Sequence, residues 1–109
     1  MPPYRILLDE CVDRRLARDL QGQFVKTVPQ MGWAGLANGD LLRKAQQDFD
    51  FFITTDRGLP HQQNLPSTSI AVLVLRAKTN RLSDLRKLVP DILAALPNVK
   101  PGAPMFLGG

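Results

Sequence analysis

The sequence predicts an α/β domain of three layers, with helices on both faces of a mainly parallel central sheet. Three observations carry that expectation. Short apolar runs at Tyr4–Leu8, Phe51–Thr55 and Ile70–Leu75 lack the polar alternation of half-exposed strands, as strands covered on both faces do. Segments with helical spacing separate them, the pattern of parallel α/β folds. The first two of these runs stop abruptly at acids, Asp9-Glu10 and Asp56. In such a sheet the carboxyl ends of the strands line the ligand crevice.

Taken in order, Tyr4–Leu8 reads as a buried first strand. From Asp13 to Gln21, Leu16, Ala17 and Leu20 recur at helical spacing. Asp13 suits the cap and Gly22 the stop. Phe24–Val28 is a second strand, closed by Pro29, and the stretch 30–39 with its three glycines and Trp33 is a loop. Asn38 suits a helix cap, and Leu41, Leu42, Ala45 and Phe49 form the inward stripe of the helix that follows. Phe51–Thr55 is the third strand. Ile70–Leu75, an unbroken I-A-V-L-V-L, is the central fourth. Leu82–Leu96 is a final amphipathic helix that Pro90 kinks or breaks. Met105-Phe106-Leu107 supplies a short edge strand.

At 109 residues, the chain is expected to form a single domain over 1–109. The lone Cys11 excludes an internal disulfide framework and a cysteine zinc cage. It reads as a small buried apolar residue. No apolar run approaches the roughly 20 residues of a membrane span, and the opening MPPYRILLDE has no export-signal pattern. A cytoplasmic location is therefore expected. The formal charge of +4 favours a polyanionic partner.

A basic chain with acids at its strand ends implies a cation between protein and phosphate. Asp9 and Glu10 end strand one, Asp40 opens the second helix and Asp56 ends strand three, all at one edge. Close carboxylates repel by about 1 to 4 kcal/mol per pair, and magnesium or manganese removes that cost. Such a metal activates water and neutralises charge on a phosphodiester. Simpler roles compete: Asp9-Glu10 as a solvated turn, Asp40 as an acid favoured by the helix dipole, Asp56 as a turn residue.

The segments I-L-L-D-E at 6–10, N-G-D-L-L at 38–42 and F-I-T-T-D-R at 52–57 resemble the PIN-like nuclease family. They are most similar to its compact branch of predicted toxin–antitoxin nucleases. The likeness runs from strand one through the I-A-V-L-V-L strand to the last helix. The resemblance implies a PIN-like fold and a magnesium- or manganese-dependent ribonuclease, the toxin of a toxin–antitoxin pair. Asp9, Asp40 and Asp56 would take the metal-binding positions, with Glu10 beside them. An RNA substrate, a cognate antitoxin and a homodimer are the partners it implies. One departure is plain: the second acid that often follows the strand-three aspartate is replaced by Gly58-Leu59-Pro60.

Arg57, Lys78 and Arg14 are the candidate nucleic-acid contacts, with Arg15, Arg18 and Arg81 as neighbours on the same basic face. His61, followed by Gln62, Gln63 and Asn64, reads first as a polar loop residue and second as a phosphate or proton contact. Trp33 reads first as a core or subunit-contact residue and second as a base-stacking one. Thr54 and Thr55 suit a strand end, with Thr55 also a candidate partner of a metal-bound water. Two other functions fit the same acids. One is an inactive PIN-like module that only binds a protein. The other is a receiver-like phosphoacceptor at Asp56. Against the receiver, Gly58, Pro60 and Pro66 leave little room for a crossover helix, and Leu75-Arg76-Ala77 stands where a hydroxyl residue is needed.

Overall fold

A computed structural model describes residues 3–63 and 68–108; Asn64 and Pro66 lie outside them. The strands are β1 (Arg5–Leu8), β2 (Phe24–Thr27), β3 (Phe51–Thr54), β4 (Ala71–Arg76) and β5 (Met105–Gly108). They form one sheet in the order β2-β1-β3-β4-β5, with every pairing parallel. The helices are α1 (Asn38–Asp48), α2 (Leu59–Gln62), α3 (Leu82–Arg86) and α4 (Val89–Ala95), with 3₁₀ turns at Arg14–Asp19, Pro29–Met31 and Leu96–Asn98.

Successive side chains along each strand point to opposite faces, and here both faces are apolar. Ile6, Leu8, Phe51, Ile53, Leu73 and Leu75 meet Leu16, Leu20, Leu85 and Ile92 from the first 3₁₀ turn and its exit, α3 and α4. On the opposite face Leu7, Phe52, Val72 and Val74 meet Leu41, Leu42 and Ala45 of α1 and Leu59 of α2. This is the three-layer α/β/α arrangement that the unbroken apolar runs predict. Trp33 is half-buried edge-on to Phe49, their centroids 6.2 Å apart, in keeping with a core role.

Several boundaries differ from the sequence expectations. The segment after Asp13 is a 3₁₀ turn rather than an α-helix, though Asp13 does cap it by accepting the Arg15 amide. Gly22 then takes a positive φ of 82°, as a chain-reversing glycine can. Asn38 is the first residue of α1, and the cap position belongs to Ala37, which offers no side-chain hydrogen bond. The expected 82–96 helix is broken at 87–88 into α3 and α4. Pro90 lies in the first turn of α4, where its missing N–H costs nothing. Gly58-Leu59-Pro60-His61 is not all loop, because Leu59–Gln62 closes one helical turn. The edge strand forms as expected and pairs parallel with the end of β4, Leu73 against Met105 through Arg76 against Gly108.

The strand order fixes where chemistry can sit. From β1 the chain steps to β2 on one side, then returns to place β3 on the other side of β1. Such a reversal is where doubly wound sheets have their ligand crevice, here at the carboxyl ends of β1 and β3. Among the described residues no helix is long and apolar enough to cross a membrane.

Candidate functional site

Register places the first acid. Leu8 pairs with Ile53, so the next residues beyond the ladder, Asp9 and Thr54, stand side by side at the crevice. The Asp9 amide donates to the Ile53 carbonyl at 2.9 Å, extending the ladder by one bond. The Thr54 hydroxyl, with no exposed surface, donates to Asp9 Oδ2 at 2.7 Å. Thr54 Oγ1 in turn accepts the Asp56 amide at 3.0 Å. One buried hydroxyl thus fixes the Asp9 carboxylate and the backbone that carries Asp56. Asp9 Oδ1 accepts the Glu10 amide at 2.8 Å, and Asp56 Oδ1 accepts the Gly58 amide at 2.9 Å.

Cys11 is exposed at this site, a correction to its reading as a buried apolar residue. Its sulfur lies 3.5 Å from Asp9 Oδ2 and 3.4 Å from Thr54 Oγ1, and accepts the Thr55 amide at 3.5 Å. The turn that follows β1 swings the residue out of the core and against the third strand. Glu10 is exposed, its Oε1 accepting the Gly35 amide at 3.2 Å across the loop that follows β2.

Asp40 behaves differently. The first turn of α1 lies at the same edge, close enough that a Cβ on Gly39 would sit 3.2 Å from Gln63 Oε1. The Asp40 carboxylate, however, is exposed and ion-paired with Arg43 one turn along its own helix. Among the described residues no three His, Cys, Asp or Glu side chains gather as a metal-holding group. The trio Asp9, Asp40 and Asp56 is therefore not a preassembled cage.

Asp9, Glu10 and Asp56, by contrast, have no Arg, Lys or His ion-pair partner among the described residues. Two hard carboxylates with the remaining positions filled by water and phosphate suit magnesium or manganese. Asp9 and Asp56 carry no ion pair among the described residues, whereas Asp40 shares an exposed one with Arg43.

The candidate cations divide between two cavities instead of forming one face. Arg14 lines a cleft of about 810 Å³ with Asp9, Glu10, Arg18, Gln30 and Asn80, while Asp56 and Asp40 do not line it. Arg15, in the same cleft, is committed to Asp13 at 2.8 Å. Its guanidinium holds the Asp13 carboxyl down to about 2. Arg57 and Lys78 line a separate groove at the ends of β4 and β5. Arg81 takes the cap position of α3 and lines neither. His61 is exposed in α2.

Sequence reading missed Thr54 as the organising residue and Cys11 as a neighbour of Asp9. The available signal was the T-T-D ending of strand three, which β-propensity explains equally well. Comparison with known protein families, with curated proteins and with solved structures found no match to this chain.

Proposed function

We propose that the chain is a divalent-metal-dependent ribonuclease of PIN-like type. The observation that supports it is the pair Asp9 and Asp56 at the topological switch point, tied together through buried Thr54 and lacking a protein cation. Magnesium or manganese held by Asp9 and Asp56 would supply charge neutralisation and a more acidic water for phosphodiester hydrolysis. Thr54 holds the Asp9 carboxylate in place at the strand end by donating to it. Glu10, exposed beside the crevice, accepts the proton of the attacking water or orients it. Arg14, on the cleft that Asp9 and Glu10 share, and Arg57, directly after Asp56, steady phosphate charge. Lys78 acts further along the edge. The toxin setting, the cognate antitoxin and the homodimer rest on the sequence resemblance alone.

Calorimetric titration with magnesium and manganese tests this reading. Wild type should bind, Asp9→Asn and Asp56→Asn should each lose at least tenfold in affinity, about 1.4 kcal/mol, and Asp40→Asn should bind nearly as wild type. The same variants should rank identically in cleavage of single-stranded RNA. No binding to wild type at millimolar metal would move the assignment to the protein-binding module.

One observation favours a second reading. The order β2-β1-β3-β4-β5 is that of doubly wound receiver-type sheets, with Asp56 at the phosphoacceptor position. Against it, the described part of the β3–β4 crossover holds only the four-residue α2. β4 ends in Arg76, and the nearby Thr79 hydroxyl is committed to Asp84 at 2.6 Å. Acid-labile phosphate on Asp56 would establish the receiver.

A further inference from the structure

We propose that the groove at the β4–β5 edge, lined by Arg57, Arg76, Lys78 and Lys87, holds the phosphate backbone of single-stranded RNA beyond the acidic crevice, with Arg76 as its anchor. The inference deepens the ribonuclease reading, on which it rests for the identity of the polyanion.

The groove has a volume of about 410 Å³ and is also lined by Ala77, Asp84, Leu88 and Gly108. Among the described residues its charge is four cations against one carboxylate. That carboxylate is already occupied, because Asp84 accepts from Thr79 at 2.6 Å and from Lys87 at 3.4 Å. The Thr79 hydroxyl, more than Lys87, holds the Asp84 carboxyl below its usual range, so it stays ionised and balanced in place. Arg57, Arg76 and Lys78 have no ion-pair partner among the described residues.

Arg76 is the least expected of the four, since the sequence marks it only as the polar end of an apolar run. Its guanidinium carbon lies 5.0 Å from the centroid of the Phe106 ring on the neighbouring strand. That stack fixes the plane of the guanidinium fork. Its Nε atom is buried with no hydrogen-bond partner. A buried N–H without a partner is costly. Arg76 as a whole is half-buried and has no ion pair among the described residues, and its planar fork matches a phosphate. The backbone beneath is held close: a Cβ on Gly108 would sit 2.7 Å from the Arg76 carbonyl oxygen, and Gly108 has a φ of 86°.

An extended polyanion fits this arrangement better than one small anion, because the cations continue toward the acids. Arg57 follows Asp56 directly. The loop after β4 carries Lys78 in the groove and Asn80 on the cleft of Asp9 and Glu10. A strand lying along that loop meets the groove at one end and the crevice at the other.

The test is fluorescence anisotropy of a labelled oligouridylate in EDTA, on an Asp9→Asn background so that no cleavage occurs. Arg76→Ala and Lys78→Ala should each weaken binding roughly tenfold. Each should also lower the log–log salt slope by about 0.7, as expected per phosphate contact on a single strand. Thermal unfolding confirms that each variant is folded, and exposed Lys78 serves if Arg76→Ala is not. Binding unchanged in both variants, or no binding by the parent protein, overturns the groove. Inorganic phosphate displacing the oligonucleotide at an equal concentration of phosphate groups overturns the strand track in favour of a small-anion pocket. Groove-dependent binding supports the inference even where metal titration of the wild type fails, so the two failures are separable.

Discussion

Thr54 carries one hydroxyl proton and two lone pairs, and the crevice uses both capacities. The proton goes to Asp9 Oδ2 and a lone pair takes the Asp56 amide. Thr54→Val keeps the shape and the β-branch but leaves that amide and the carboxylate without their partner. We expect a loss of about 1–3 kcal/mol in chemical denaturation, with metal affinity and RNA cleavage falling together. A destabilised variant with unaltered metal affinity would reduce Thr54 to a structural role. At this scale the sequence reveals charge more readily than environment. Asp9 and Asp56 are legible because an apolar run stops at each. The pairing of Asp9 with Thr54 needs the register Leu8 to Ile53, which depends on strands 45 residues apart in the chain. Cys11 reads as a small hydrophobe from composition, and only the turn after β1 shows that it faces water. Asp40 shows the converse, because its charge is visible in the sequence but its exposed ion pair with Arg43 is not.

Among the elements, the 3₁₀ turn Arg14–Asp19 depends most on a single cap. Asp13 accepts both the Arg15 amide and its guanidinium. Arg15 thereby lowers the Asp13 carboxyl from 3.8 to about 2. A carboxyl depressed by folding stabilises the fold above its unfolded value, and that contribution fades as pH falls through the folded one. The difference in Tm between wild type and Asp13→Asn should therefore be constant above about pH 5 and shrink between about pH 4 and 2. A difference that does not vary with pH would mean that the carboxylate charge is not what holds the cap. The pair is solvent-facing, so the effect is small. Element boundaries were less legible than element existence. The apolar stripe of 82–96 is genuine, with Leu85 and Ile92 both buried, but two proline positions change its geometry. Pro90 falls in the first turn of α4 and Pro97 in the 3₁₀ turn after it. A single periodic stripe is compatible with one helix or with two short ones on the same face.

At the scale of the whole molecule, one sheet separates two apolar layers that share every central strand. Neither layer can dissolve while the other persists, because β1, β3 and β4 contribute alternate residues to both. Urea unfolding followed by Trp33 fluorescence, which reports on the α1 face, should coincide with far-ultraviolet circular dichroism. Leu85→Ala, on the opposite face, should shift both curves equally, by about 2–5 kcal/mol. Separate midpoints would show that the faces unfold independently. This architecture was the most legible feature of the sequence, since unbroken I-A-V-L-V-L and F-F-I-T runs bounded by helical patterns admit few alternatives. The strand order was not legible, because a periodic pattern names strands without naming neighbours.

The placement of β1 at the interior of the sheet has a consequence for how the protein can diversify. The acids of the crevice, Asp9, Glu10 and Asp56, lie within the first 56 residues, in the turns that follow β1 and β3. Three of the four groove cations, Arg76, Lys78 and Lys87, come from the later part of the chain. On the proposed reading, reactivity and grip would be inherited from different stretches of the gene. Changes after residue 70 would then retune how tightly a nucleic acid is held, at KM, and leave the turnover step encoded earlier as it is.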